Sequence, residues 1–216
     1  MEKSLNDGSN SILQIVLFDL GGVLMNVNVS NALQHWTKAT GKPSVVFEEH
    51  LFGSGLKERM DKGLCSSLEV MAIMEEKTGL SAFDFEAGWR KVLTPKEEMT
   101  SLLTEVVTSF TTGLLSNTDP VHHQVAQELL PQLSQMSPQL VSYTEGCWKP
   151  ELVFYENILS ALNLPPQAVF FVDDLEENVA GAKLSGIDAV LFESPAQVRR
   201  DLITRGVPLL SNEEHG

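Results

Sequence analysis

The feature that most constrains the fold is a set of short apolar runs that alternate with segments of helical periodicity. Each run closes on polar or glycine residues, as expected for strands buried on both faces of a sheet. The runs lie at 12–18, 111–117, 168–174 and 188–193, with a weaker one at 139–145. Apolar residues repeat with helical spacing in the intervening KEEMTSLLTEVVTSF, ELVFYENILSALNL and EENVAGAKLSG. Strands that alternate with helices predict an α/β fold built on a parallel sheet.

The block from 29 to 93 interrupts this alternation. It contains no convincing strand and several helix signals. Ser30 is expected to cap a helix that runs to Gly41, SSLE forms a capping box with Ser66 as N-cap and Glu69 three residues on, and DFEAGWRKVL predicts a further helix. An all-helical block placed directly after the first strand predicts an inserted cap domain.

These patterns give a domain plan. The predicted parts are a flexible tail at 1–10, an α/β core at 11–28 and 94–210, a helical cap at 29–93 and a second flexible tail at 211–216. The polar stretch at 131–139 predicts a loop.

Composition excludes some classes of partner. The chain has 216 residues, 43% of them hydrophobic, and a net charge of −14. Such a charge disfavours nucleic acids and anionic membranes, because nothing would offset the repulsion by phosphates. No apolar run is long enough to span a membrane, and the N-terminus lacks the apolar core of a signal peptide. Cys65 and Cys147 lie far apart in the sequence, so free thiols and a cytoplasmic location are expected. The expected oligomeric state is a monomer or a weak homodimer.

Polar side chains stand at the ends of three predicted strands. They are Asp19, the pair Ser116 and Asn117, and the pair Asp173 and Asp174. In open α/β sheets, ligands bind at the carboxyl edge of the strands. Adjacent carboxylates would repel one another unless a cation or a lysine compensates their charge. This edge is therefore the predicted site.

Four motifs in order, FDLGGVL, LLSNT, CWKP and FFVDDLEENVAGAKLSG, resemble those of the haloacid dehalogenase (HAD) superfamily. The resemblance covers about 10–25 and 95–205. It implies a Rossmann-like parallel sheet, and the helical block resembles the type 1 cap of that superfamily. FDLGGVL is most similar to a phosphatase-like branch that includes sugar-1-phosphate phosphatases, in which glycine replaces the second aspartate of the first motif.

The resemblance implies phosphoryl transfer through an aspartyl-phosphate. Asp19 would be the nucleophile, Ser116 would hydrogen-bond the transferring phosphoryl group, and Lys149 would stabilise its developing charge. The implied Mg²⁺ ligands are the Asp19 carboxylate, the main-chain carbonyl of Gly21 and Asp174. Asp173 would lie beside the metal and orient a metal-bound water or Lys149. The implied substrate contacts are Gly21, Gly22, Ser116, Asn117, Lys149 and His122.

Gly21 occupies the position at which the superfamily usually carries its general acid and base. A main-chain oxygen can still bind the metal there, but proton transfer to the leaving group has no obvious donor. His122 is the nearest substitute, although an ordinary histidine at a helix start is the more common outcome. Asp119 is expected to be the acidic residue at the N-terminus of that helix, and Trp89 a core residue of the cap.

Three functions stay open on the sequence. The first is an Mg²⁺-dependent phosphatase for a small phosphorylated metabolite such as a sugar phosphate. The second is a metal-independent 2-haloacid dehalogenase, against which the paired Asp173 and Asp174 argue, since two unneutralised carboxylates would oppose the nucleophile. The third is a catalytically weak, phosphate-binding or regulatory protein that keeps the fold.

Overall fold

The structure is a computed structural model that describes residues 13–209. The two predicted tails, 1–10 and 211–216, lie outside the described residues. Within 13–209, no helix combines the length and the hydropathy that crossing a membrane requires.

Strands and helices alternate outside the region from 29 to 89. The strands are β1 (Ile15–Phe18), β2 (Met25–Val27), β3 (Leu93–Pro95), β4 (Thr112–Ser116), β5 (Gln139–Val141), β6 (Val169–Asp173) and β7 (Asp188–Leu191). The first five helices are α1 (Val29–Thr40), α2 (Ser44–Glu48), α3 (Leu56–Asp61), α4 (Ser67–Thr78) and α5 (Ala82–Trp89). The remaining helices are α6 (Glu97–Ser109), α7 (Pro120–Leu129), α8 (Ser142–Glu145), α9 (Leu152–Leu162), α10 (Glu176–Leu184) and α11 (Pro195–Thr204).

Five strands form a parallel sheet in the order β5-β4-β1-β6-β7. β1 lies at its centre, with Phe18 in register with Leu114 of β4 and Val172 of β6. The chain builds the β4 side first and then crosses to the β6 side, so the strand order reverses at β1. That reversal places a cleft at the carboxyl end of β1. The predicted α/β fold with a parallel sheet and a helical insertion is confirmed.

The alternation of side chains along β1 fills both faces of the sheet. Val16 and Phe18 join the larger hydrophobic cluster, which includes α6 and α11. Ile15 and Leu17 point to the opposite face and pack in a second cluster with α9 and α10. All four side chains are almost fully buried, which explains why the strand is apolar without interruption.

The helical insertion lies between the strands of a small antiparallel hairpin. β2 pairs with β3, with Asn26 opposite Thr94, and α1 to α5 occupy the chain between these strands. The interior of the insertion is aromatic: Trp36 stacks on Phe85 and Trp89, with ring centroids 5.1 and 5.9 Å apart. The same hydrophobic cluster continues into the sheet, so the insertion covers the carboxyl end of β1.

Several local predictions are confirmed and others need correction. The capping box of Ser66 and Glu69 is present, and α1 ends at Gly41 in the left-handed conformation. Asn28, and not Ser30, caps α1, because its side chain accepts a hydrogen bond from the Ser30 N–H at 3.1 Å.

Three predicted element boundaries were wrong. The helix predicted over DFEAGWRKVL ends at Trp89, after which the chain turns into β3. The run at 139–145 becomes helical after Val141. The predicted loop at 131–139 contains a 3₁₀ turn that buries Leu133. In each case tertiary packing decides a boundary for which the local sequence holds no marker.

Candidate active site

Three neighbouring strands bring the predicted residues to one place. Asp19 directly follows β1, and its N–H donates to the Val172 carbonyl of β6 at 3.0 Å. Ser116 and Asp173 are the last residues of β4 and β6, the two strands that flank β1. Their side chains therefore meet at the carboxyl edge of the sheet, where the sequence predicted the site.

Lys149 joins two of the carboxylates. Its Nζ lies 2.8 Å from Asp19 Oδ1 and 2.6 Å from Asp173 Oδ2, and its side chain is fully buried. Burial alone would lower the pKa of Lys149, but contact with the two carboxylates raises it above its ordinary value. The lysine is therefore held as a buried cation between the predicted nucleophile and its neighbour.

The second oxygen of Asp173 is also occupied. Its Oδ1 accepts hydrogen bonds from the Leu175 N–H and from Asn178 Nδ2, both at 2.9 Å. Asp173 thus has partners at both oxygens and is fully buried. This geometry suits a residue that orients Lys149 better than one that meets a ligand.

Asp19, Asp173 and Asp174 form an acidic cluster in which one oxygen of each lies within 4.8 Å of the others. Burial raises the pKa of Asp19 to about 6; Lys149 offsets part of that rise, and Asp173 adds to it. Burial and the charge of Asp173 likewise raise the pKa of Asp174. Three carboxylates against the two nearby lysines, Lys149 and Lys96, still leave a surplus of negative charge. Oxygen ligands of this kind suit a hard cation such as Mg²⁺.

The Gly21–Gly22 turn lies against this cluster. Gly22 has φ +75°, and a Cβ built on it would lie 1.8 Å from Asp174 Oδ2, so only glycine lets the carboxylate reach its position. The N–H of Gly22 donates to the Met25 carbonyl at 2.8 Å. It is therefore not available to a phosphate, which corrects the predicted substrate contact of Gly22. Lys96 Nζ donates to the Gly22 carbonyl.

The Asn117 side chain binds the protein backbone, whereas the Ser116 hydroxyl has no partner among the described residues. The Asn117 side chain donates to the Lys149 carbonyl and accepts from the Lys149 N–H, each at 2.8 Å. The Ser116 hydroxyl is buried and has no hydrogen-bond partner among the described residues. A buried hydroxyl without a partner is uncommon and indicates a position completed by a ligand or a water.

His122 is committed to structural partners at both ring nitrogens. Nδ1 lies 3.0 Å from Asp119 Oδ2, and Nε2 lies 3.0 Å from the Trp89 carbonyl. Both neighbouring oxygens can accept hydrogen bonds, so both ring nitrogens have partners within the protein. The imidazole also stacks on Trp89, with centroids 4.3 Å apart.

Asp119 connects the helical insertion to the core. Its Oδ1 caps α7 through the N–H groups of Val121 and His122, as its predicted place at the helix start suggests. Its Oδ2 accepts from Trp89 Nε1 at 3.1 Å and lies 3.7 Å from Lys57 Nζ. Burial would raise the pKa of Asp119, but His122 and Lys57 hold it below its ordinary value. Trp89 is thus more than a core residue of the cap.

Two adjoining cavities meet at the Gly21 turn. The first, which we call the carboxylate cavity, has a volume of about 430 Å³ and is lined by Asp19, Lys149 and Asp174. The second, the cap cavity, has a volume of about 220 Å³ and lies between the insertion and the core, with Ser116, Trp89 and His122 in its wall. A wider groove of about 1030 Å³ beside Phe192 contains none of the predicted site residues, so we do not assign the site there.

Sequence reasoning missed Lys96 and Lys57. Lys96 follows β3, lines the carboxylate cavity and lies over the Phe192 ring, 4.5 Å from its centroid. Lys57 lies on α3 and reaches the site only because the insertion folds over β1. Neither lysine sits in a motif or at a strand end of the main sheet, so no local signal marks them.

Comparisons with known proteins agree with this architecture. No protein-family model matches the chain. The chain is 24% identical over 213 residues to bifunctional epoxide hydrolase 2 of Rattus norvegicus. This alignment covers 88% of the present chain and 38% of the hydrolase. The chain is 28% identical over 176 residues to a sesquiterpene phosphatase of Aspergillus oryzae, covering 79% of this chain and 85% of that protein. The chain thus spans well under half the length of the epoxide hydrolase.

Solved structures show the same fold. A HAD-family enzyme from Bacteroides thetaiotaomicron, in complex with magnesium and inorganic phosphate, superimposes with a TM-score of 0.74 at 23% identity, covering 84% of this chain and 94% of that one. L-2-haloacid dehalogenase from Xanthobacter autotrophicus, with chloropropionic acid covalently bound, gives a TM-score of 0.61 at 18% identity, covering 91% of this chain and 84% of that one. At such identities the similarity shows the fold alone: the chain shares the fold of these two enzymes.

Proposed function

We propose that the protein is an Mg²⁺-dependent phosphatase that acts on a small phosphorylated metabolite through an aspartyl-phosphate. The observation that carries this proposal is the position of Lys149 Nζ, 2.8 Å from Asp19 and 2.6 Å from Asp173, with Asp174 beside them. A buried cation next to a carboxylate nucleophile and an acidic metal site is the set of groups that phosphoryl transfer requires. The magnesium and phosphate bound to the Bacteroides enzyme, and the phosphatase from Aspergillus oryzae, support the same reaction.

Asp19 is the nucleophile in this proposal. One of its oxygens forms a bond to phosphorus while the bond from phosphorus to the ester oxygen breaks, and the leaving group departs as an oxyanion that takes a proton from solvent water. Water then attacks the phosphorus of the aspartyl-phosphate, which releases inorganic phosphate and regenerates the carboxylate. Asp19 suits this role better than Asp173, because it lines the carboxylate cavity whereas both oxygens of Asp173 are occupied.

The Mg²⁺ ligands in this proposal are the carboxylates of Asp19 and Asp174 and the main-chain carbonyl of Gly21. The residues present fit the ion, because the acidic cluster carries surplus charge and Gly22 leaves Asp174 the room it needs. When bound, Mg²⁺ neutralises phosphate charge and orients the phosphoryl group for in-line attack. Asp173 holds Lys149 in place from the other side.

In this proposal the phosphoryl oxygens are bound by Ser116 and Lys149. The Ser116 hydroxyl is buried and free to donate to one of them, and Lys149 supplies a positive charge at the same edge. Asn117 acts as a positioning residue, because both of its polar atoms hold the backbone of Lys149.

His122 does not replace the missing acid and base in this proposal. Its two nitrogens hold Asp119 and the Trp89 carbonyl, so neither faces a leaving oxygen. The enzyme therefore relies on leaving groups that depart without a proton from a side chain.

A direct test is the hydrolysis of p-nitrophenyl phosphate with and without Mg²⁺, with chloride release from 2-chloropropionate measured beside it. We expect phosphate release that requires Mg²⁺ and is lost in Asp19→Asn, and no chloride release. Chloride release in the absence of metal would instead identify a dehalogenase. Phosphate binding without any turnover would identify a non-catalytic member of the fold.

A further inference from the structure

We infer that the substrate carries a small apolar organic group, which the cap cavity encloses while its phosphate lies in the carboxylate cavity. This inference rests on the proposed phosphatase function and names the class of ester on which the enzyme acts. It departs from the sugar phosphate suggested by the sequence resemblance.

The position of the cap cavity is the first support. Gly21, Val27 and Asn117 line both cavities, so the two spaces share a wall at the turn that follows the nucleophile. An organic group attached to a phosphoryl at Asp19 can therefore enter the cap cavity directly. The volume of about 220 Å³ equals roughly seven water volumes of about 30 Å³ each, which sets the size of that group at about seven non-hydrogen atoms.

The wall of the cap cavity is largely apolar. Its apolar side chains come from the turn after Asp19, from the helical insertion and from the residues at the start of β3. They are Leu20, Val29, Phe52, Trp89, Val92 and Leu93. Aromatic rings from the insertion face the core, which gives a hydrocarbon group a surface to pack against.

The polar side chains of this wall are already engaged. The Lys57 ammonium forms an ion pair with both carboxylate oxygens of Asp61. Both His122 nitrogens and both polar atoms of Asn117 have partners as well. Among the lining side chains that the structure describes, Ser116 has a buried hydroxyl without a partner, and Thr118 binds Ser142 through its main chain, which leaves its hydroxyl free.

The scarcity of free polar side chains in the wall of the cap cavity argues against a sugar. The inference assigns the Ser116 hydroxyl to the phosphoryl group, so a polyol has the Thr118 hydroxyl as its one free side-chain partner in the wall. Each further hydroxyl would lose its hydrogen bonds to water and meet an apolar surface instead, which would lower the affinity on the order of tenfold. A hydrocarbon of the same size has no such cost and gains from its burial.

Isothermal titration calorimetry on the Mg²⁺-loaded protein tests the inference with a matched pair of ligands. Pentyl phosphate and glycerol 3-phosphate are both primary alkyl esters whose organic groups have five non-hydrogen atoms. We expect pentyl phosphate to bind at least about tenfold more tightly. Affinity should rise about fourfold per methylene from propyl to heptyl phosphate and level off beyond, because the cavity is then full. Equal or tighter binding of glycerol 3-phosphate, or an affinity independent of chain length, would overturn the inference.

Two variants of the insertion localise the effect. Phe52 is 38% exposed and lines the cap cavity, whereas Phe83 is 81% exposed on α5 and lies outside its wall. Phe52→Ala should weaken heptyl phosphate several-fold and leave inorganic phosphate unchanged, and Phe83→Ala should change neither. If both variants bind heptyl phosphate like the unaltered protein, the organic group does not lie in this cavity.

These outcomes are independent of the activity assay. Absence of p-nitrophenyl phosphate hydrolysis would contradict the proposed function, and the ligand pair would still report whether the site prefers an apolar ester. Hydrolysis combined with a preference for glycerol 3-phosphate would retain the phosphatase and reject the apolar substrate.

Discussion

The side chain of Asn117 holds the backbone of Lys149 at both of its polar groups, with each hydrogen bond 2.8 Å long. The two residues are 32 positions apart, and each follows a different strand of the sheet. The pairing fixes where the Lys149 side chain begins, while Asp19 and Asp173 fix where it ends. A lysine held at both ends is preorganised for the charge stabilisation that the proposed reaction needs.

Asn117→Ala should lower kcat/KM about 10- to 100-fold, because a lysine displaced by about an ångström no longer meets the phosphoryl charge. The variant also leaves two backbone groups of Lys149 without their partner, so the free energy of unfolding should fall by about 1–3 kcal/mol. Asn31→Ala is the matched control: it removes an amide that donates to the Lys91 carbonyl in the insertion, and it should keep full activity. Full kcat/KM in Asn117→Ala would contradict the positioning role.

Lys149→Met should destabilise the protein by about 3–5 kcal/mol at pH 7.5, because it leaves buried carboxylates without a counter-charge. The loss should shrink at pH 5.5, where the carboxylates take up protons more readily. The double variant Lys149→Met/Asp173→Asn should recover part of the stability and no activity. Urea unfolding at the two pH values measures the free energy of unfolding of each variant. The control is Lys77→Met, because Lys77 forms an exposed ion pair with Glu76. A double variant less stable than Lys149→Met would show that charge is not the cause.

The architecture of the sheet was predictable because its signal is local. Each strand of the buried sheet is an apolar run closed by polar residues, and the polar residues at the ends of β1, β4 and β6 therefore had to meet. Asp19, Ser116 and Asp173 could be placed at one site without any knowledge of loop conformation.

The hairpin at the base of the insertion could not be predicted in the same way. β2 and β3 have three residues each, and Val27 at the end of β2 is 53% exposed, so neither strand has an apolar period. Likewise, the contact of Trp89 with Asp119 depends on which surface of the insertion meets the core. Such pairings between distant parts of the chain leave no periodicity in the sequence.

The stabilisation by Mg²⁺ should depend on pH. The pKa of Asp19 is raised from 3.8 to about 6, so in the metal-free protein this group contributes stability below pH 3.8 that is lost as pH rises through about 6. Mg²⁺ competes with the proton for the same carboxylate. We expect a small rise in Tm on adding Mg²⁺ at pH 5 and a large one at pH 8, measured by calorimetry. Asp174→Ala should abolish the rise at both pH values, and a rise equal at pH 5 and pH 8 would contradict the assignment.

Gly22→Ala should remove the Mg²⁺ effect, because its Cβ would occupy the space of the Asp174 carboxylate, 1.8 Å from Oδ2. The residue also has φ +75°, so the backbone strain should cost about 1–3 kcal/mol. Gly41→Ala separates the two causes: it has φ +73° and no atom within 4 Å of the added Cβ, so it should lose stability but keep the response to Mg²⁺. If Gly22→Ala responds to Mg²⁺ like the unaltered protein, Asp174 is not a ligand.

The rate of hydrolysis should depend steeply on the leaving group, because Gly21 supplies no side chain to protonate the departing oxygen. Aryl and acyl phosphates should be hydrolysed far faster than alkyl phosphates. For good leaving groups, an initial burst of released alcohol should precede steady turnover. Water must attack the aspartyl-phosphate without a general base, and such a base typically raises a rate about 10²–10⁴-fold. The aspartyl-phosphate should therefore accumulate. Rapid-quench kinetics and mass spectrometry of phospho-Asp19 measure the burst.

Gly21→Asp tests the cause of that dependence. A Cβ at Gly21 meets only Val27 Cγ2, at 3.1 Å, so the turn admits a side chain after a shift of a few tenths of an ångström. The new carboxyl should raise alkyl phosphate hydrolysis and shrink the burst, and Gly21→Ala, with the same Cβ and no carboxyl, should do neither. His122→Ala should leave the ratio of aryl to alkyl rates unchanged, since both of its nitrogens serve Asp119 and Trp89. Equal chemical rates on alkyl and aryl phosphates in the unaltered protein, without a burst, would show that another group supplies the proton.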